Sequence, residues 1–220
     1  MDWVFLVPVS FVVVTLVAAI LGAIRLLWCQ KARYEGTLDV RRLRKGDIIL
    51  TGKQPVSHSY QIQLANILTR KPKHRFWTHA AIYQGDGLLW EAQAKPNGVR
   101  QWRLDDYIQK GYYLRAFRHK YLKDEAVLDR LVAWCASQVG DGYDMRGVIF
   151  YALSIVTPVG LNFIFDNSAI SKLCQVQDNF FCSELVVEAF NEVGHPISPF
   201  DAWRVKPTDF IGNPVLEEVA

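Results

Sequence analysis

The sequence has no Cys-X-X-Cys pair, and its four cysteines, Cys29, Cys135, Cys174 and Cys182, lie well apart. That excludes a disulfide framework, and no Cys/His cluster has the spacing of a zinc site. Free thiols of this kind fit a reducing compartment. Charge of one sign is scarce too. The formal net charge is +3, too small to argue for a nucleic-acid partner. No segment repeats and none is low-complexity. No basic region precedes the first apolar run, which argues against a cleaved signal peptide. Bulky Leu27 and Trp28 ahead of Cys29 argue against a lipoprotein cleavage site as well. What is present is apolar surface: half of the 220 residues are hydrophobic, enough for the core of one domain with an appendage.

The appendage is the N-terminus. No charged residue occurs from Trp3 to Ile24, and a bilayer needs about 20 apolar residues. Trp3 and Trp28 bracket the run as interfacial anchors do. Residues 3–28 are therefore expected to form a retained transmembrane helix, with membrane lipids as its partner, and residues 29–43 a basic linker. Arg25, Lys31, Arg33, Arg41, Arg42, Arg44 and Lys45 follow the span, which places the remaining domain on the cytoplasmic side by the positive-inside rule. A second basic cluster, Arg70, Lys71, Lys73, His74 and Arg75, reads either as a headgroup contact or as a solvated loop.

The domain, residues 44–212, opens with a small sheet. After the Lys45-Gly46-Asp47 turn, Ile48-Ile49-Leu50-Thr51 reads as a buried strand closed by Gly52. Ile62, Leu64, Ile67 and Leu68 suit a short helix. Thr78 to Gln84 and Leu88 to Gln93 read as a hairpin around Gly85-Asp86-Gly87. A three-residue loop sets Ala81 opposite Glu91 and His79 opposite Gln93. His79 and Glu91 then share a face, whereas a two-residue loop separates them. On one face they could be the base and the orienting carboxylate of a nucleophilic site. The alternative is a hydrogen-bonded core histidine and a solvated glutamate. Strands at Gly98 to Trp102 and Gly111 to Arg118 flank a helical bridge. His58, His74 and His119 read as surface residues.

The second half is helical. Asp124 caps a helix over residues 125–139, whose stripe is Val127, Leu128, Leu131, Trp134, Cys135 and Val139. Residues 141–144 read as a turn. Residues 147–165 carry no charge. They are too short in each half to span a bilayer, and read as a buried helix with its packing partner, or as a lobe touching lipid. Cys174 has no visible base. Asp178 and Asn179 are placed to cap a helix that begins near Cys182 and continues through Leu185, Val186, Ala189, Phe190 and Val193. A helix start favours thiolate over thiol. Position alone leaves Cys182 as either a nucleophile or a small buried apolar residue.

Several motifs in order settle which expectation to carry forward. Asp47-Ile48-Ile49-Leu50, Trp77-Thr78-His79-Ala80-Ala81-Ile82-Tyr83, Trp90-Glu91-Ala92, Tyr143-Asp144 and Phe181-Cys182-Ser183-Glu184-Leu185-Val186 resemble the circularly permuted NlpC/P60 hydrolases of the YiiX/YebB-like, papain-related kind. The resemblance implies an α+β fold: a small antiparallel sheet packed on helices, with the cysteine helix after the sheet. It implies Cys182 as nucleophile, His79 as general base and Glu91 as the third polar residue. No cofactor and no metal is expected. The substrate is then a small peptide or an acyl compound. Amide cleavage by a peptidase or amidase is the leading expectation, and a lipid-directed acyl hydrolase, thioesterase or acyltransferase is the second. A non-catalytic membrane-binding module is the third.

Overall fold

A computed structural model of the chain describes residues 38–53, 74, 76–94, 97–143 and 179–219. In chain order its elements are β1 (Ile48–Gly52), β2 (Trp77–Gly85), β3 (Leu88–Ala94), β4 (Asn97–Arg103), α1 (Leu104–Gln109), β5 (Tyr113–His119) and α2 (Glu125–Ser137). There follow β6 (Gly142–Tyr143), β7 (Asn179–Phe180), α3 (Cys182–Glu192) and β8 (Leu216–Val219), with short 3-10 turns between the last two. The fold is α+β. Its six-stranded sheet has the order β4-β3-β2-β1-β5-β8, and all its neighbouring strands are antiparallel.

Both faces of the sheet are covered. Ile48, Leu50, Ile82, Trp90 and Phe117 meet Leu131 of α2 and Val186 and Phe190 of α3 on one side. Ile49, Ala81, Leu89 and Ala116 meet Leu104 and Tyr107 of α1 on the other. Central β1 therefore reads as an unbroken apolar run, since a strand buried on both sides needs no polar alternation. Asp124 caps α2 as expected, accepting from Ala126 N–H at 2.9 Å.

The β2–β3 hairpin resolves the loop question. Its turn has two residues, Asp86 and Gly87, with φ of 51° and 74°, the pair of positive values that a type I′ turn requires. Such a turn alone puts His79 and Glu91 on opposite faces. The ladder, however, pairs Tyr83 with Leu89 and Gly85 with Leu88, with a bulge between. The bulge inserts the one residue that restores the shared face.

Three sequence expectations outside the site need correction, and one strand was unforeseen. His119 is buried rather than on the surface. Its Nδ1 accepts from Leu122 N–H at 3.1 Å, and its ring stacks on Phe190. Gly142 and Tyr143 form a strand instead of a turn, pairing in parallel with Asn179 and Phe180. Val139 lies past the end of α2 and is exposed. Strand β8 was not anticipated, because four residues with two glutamates give too short a pattern to read.

The expected anchor at 3–28, the linker up to residue 37, the helix around Ile62 to Leu68 and the 147–165 segment lie outside the described residues. So do Cys29, His58, Asp144, Cys174, Asp178 and every member of the Arg70–Arg75 cluster except His74. Among the described residues no helix is long and apolar enough to cross a membrane.

Candidate active site

Cys182 is the first residue of α3 and is buried. The cap differs from the one expected. Phe181 occupies the N-cap position, and Glu184 reaches back to accept its N–H at 3.2 Å. This is the returning half of a capping box, and it explains why Glu184 is buried one turn from the thiol. Ser183 ties the same turn down by donating to Val205 O at 2.6 Å.

The segment entering α3 is held from the sheet side. Val99 N–H donates to Asp141 O at 3.1 Å, and β6 then pairs with β7 immediately before the helix. Gly98 makes this approach possible. Its φ is 115°, and a Cβ there would fall 2.3 Å from the Asp141 carbonyl oxygen. β4 therefore reaches Cys182 through two short backbone pairings.

His79 and Glu91 meet as the bulged register requires, with Nε2 and Oε2 2.9 Å apart. Glu91 is fully buried. Its Oε2 also accepts from Tyr107 O–H at 2.7 Å, and its Oε1 accepts from Arg100 Nε and Nη2 at 2.9 and 2.8 Å. Four donors thus fill the four acceptor positions of one carboxylate. Gln93 Nε2 donates to Tyr107 O–H at 3.0 Å. The Tyr107 ring stacks at 28° to the imidazole, with centroids 6.0 Å apart.

These contacts set the charges. Burial favours the neutral carboxyl, but hydrogen bonds and charge from His79, with the Tyr107 and Arg100 hydrogen bonds, outweigh it and hold Glu91 below the usual carboxylate range. A carboxylate can only accept, so His79 Nε2 carries the proton. Burial pulls the imidazole down, while its hydrogen bonds to Cys182 and Glu91 push it up, with the net result raised to about 10. With Nε2 committed to Glu91, Nδ1 is the nitrogen that remains for the Cys182 thiol.

Cys182 and Cys135 are both buried, so burial does not distinguish them. Their neighbours do. Cys135 sits in the apolar stripe of α2, and burial pushes its thiol up to about 12. Cys182 has an imidazole within hydrogen-bonding reach. The structure brings together all three residues singled out from the sequence, Cys182, His79 and Glu91. Sequence reasoning missed Arg100, Tyr107 and Gln93. A signal existed for Arg100, which faces Glu91 directly across the β3–β4 ladder. Tyr107 comes from a helix, and no strand register predicts its reach.

A sheet-borne His–Glu pair beside a cysteine at a helix start can supply a nucleophile, a base and an orienting carboxylate. No protein-family model matches the sequence. The chain is 26% identical over 148 residues to the probable lipoprotein peptidase YaeF of Escherichia coli (strain K12), a match that covers 61% of this chain and 53% of that protein. It thus spans about half the length of the curated relative it matches. The fold is similar to the crystal structure of the metalloprotein yiiX from Escherichia coli O157:H7, with TM-score 0.54 and 17% identity, over 81% of this chain and 97% of that one. The structural match shows a shared fold.

Proposed function

We propose that the chain is a membrane-anchored cysteine hydrolase that cleaves an amide bond. The observation that carries this reading is the continuous polar line from Cys182 through His79 to a fully buried, ionised Glu91. Cys182 Sγ attacks the carbonyl carbon. The first-turn N–H groups of α3 lack intrahelical acceptors and can face the oxyanion. His79 delivers its proton to the departing amine as the C–N bond breaks, leaving a thioester on Cys182. Water then attacks with His79 as base, and the thiolate leaves. Glu91 fixes the tautomer and orientation of His79 and stabilises the imidazolium.

The cysteine helix follows the strands that carry His79 and Glu91 in this chain, which supports reading the fold as circularly permuted. The peptidase name of YaeF supports an amide substrate. The uncharged run within residues 3–28 supports the anchor, and the basic residues after it support a cytoplasmic domain. YiiX is described as a metalloprotein, but the donors here do not suit a metal. Glu91 is saturated by hydrogen bonds, and among the described residues no group of three or more His, Cys, Asp or Glu side chains could hold an ion.

The test is a substrate screen on the purified full chain with dipeptide amides, phospholipids and acyl thioesters. Turnover of amides, lost in Cys182→Ala, is expected. Turnover confined to phospholipids or thioesters would replace the amide reading with a lipid-directed one.

A further inference from the structure

We infer that Arg100 is a positioning residue of this site, which balances the charge of Glu91 and so sets the pH range in which the Cys182–His79 pair is armed. The inference rests on the proposed roles of Cys182, His79 and Glu91. Arg100 acts through Glu91 and has no contact with substrate in this account.

The geometry is that of a fixed counter-charge. The guanidinium grips Oε1 with two bonds, through Nε and Nη2, and leaves Oε2 to His79 and Tyr107. Its plane is held in turn by Trp102, whose ring centroid is 3.8 Å from Arg100 Cζ. Stacking plus a two-point grip is a use to which arginine is suited and lysine is not. The register makes it permanent, because Glu91 and Arg100 are directly opposed on β3 and β4.

The groups facing Glu91 come from every element around it. They are His79 on β2, Gln93 on β3, Arg100 on β4 and Tyr107 on α1, with Cys182 on α3 reached through His79. Lys110 is the further cation nearby, 5.6 Å from the Trp102 ring. Armed, the line alternates thiolate, imidazolium, carboxylate and guanidinium, and so is neutral. The guanidinium is the member whose charge is fixed whatever its neighbours do. Without it the line carries a net negative charge, and His79 holds its proton more tightly. Without Glu91 the line is net positive, and His79 gives up its proton more easily. The two losses act in opposite directions.

The experiment follows the titration of the His79 imidazolium by NMR in the full chain, beside the rate of Cys182 alkylation by iodoacetamide read by mass spectrometry of the Cys182 peptide. In Arg100→Met the midpoint is expected to rise by about one pH unit, and in Glu91→Gln to fall by a similar amount. The double variant Glu91→Gln/Arg100→Met leaves no unbalanced buried charge and should return near the wild-type midpoint. Arg100→Lys keeps the charge and should also stay near it. A purely structural role would lower the rate in Arg100→Met without moving its midpoint, and that result would overturn the inference. So would displacement of both single variants in the same direction. If instead the wild-type chain shows no fast, His79-dependent alkylation, the underlying reading of the site fails, which is a separate result.

Discussion

Replacing His79 by alanine is expected to slow alkylation of Cys182 at pH 6.5 by roughly an order of magnitude or more. An ordinary cysteine thiol titrates near 8.5, so only about 1% of it is thiolate at that pH. In the intact site an imidazolium stands beside the sulfur. Its folded pKa is raised to about 10, so it stays charged through the whole neutral range and favours the thiolate. Linkage gives the matching stability effect. A raised folded pKa contributes stability that is complete below the unfolded value of 6.5 and is lost as pH rises through about 10. Denaturant melts of wild type and His79→Ala across that range measure it. Cys135 is an internal control, because its thiol is pushed up and has no base beside it.

Glu91→Ala is expected to cost about 3 kcal/mol of folding stability. Removing one partner of a buried ion pair typically costs ~3–5 kcal/mol, because the other charge is left uncompensated. Here it also strips acceptors from Tyr107 O–H and His79 Nε2–H. The low end applies because the Arg100 side chain is 19% exposed and can turn partly to water. Thermal unfolding should register a drop of roughly 6–12 °C, at about 2–4 °C per kcal/mol for a domain of this size. The sign with pH is fixed as well. A depressed carboxylate contributes stability that is present above the unfolded value of 4.5 and is lost as pH falls below it. The gap between wild type and variant should accordingly be widest between about pH 5 and 6.5, shrink in acid, and shrink again as His79 loses its proton towards pH 10.

The parts of the site written into local pattern were legible in the sequence. Ile48 to Leu50 announced a central strand, Gly85-Asp86-Gly87 a hairpin, and the spacing from Leu185 to Phe190 a helix with Cys182 at its start. The pairing of His79 with Glu91 was legible only conditionally, since it hung on one residue of register. The chain meets that condition by a bulge at Gly85 rather than by a longer loop. The cap of α3 was misread because Asp178 and Asn179 are conventional capping residues, whereas the structure uses a backbone cap closed by Glu184 three residues on. His119 was misread because its apolar setting comes from Phe190, far along the chain. Tyr107 escaped for the same reason, since its contact with Glu91 belongs to the assembled sheet and helix. Arg100 could have been found from the β3–β4 register, which sets it opposite Glu91.

The most direct test of the account is to trap the acyl intermediate. The full chain is mixed with an activated N-acyl amide substrate, quenched in acid within the first turnover, and mapped by mass spectrometry. The account predicts the acyl mass on the peptide that contains Cys182, with none on that peptide and no turnover in Cys182→Ala. Substrate turnover that survives in Cys182→Ala, or an acyl group carried on any other residue, would contradict it.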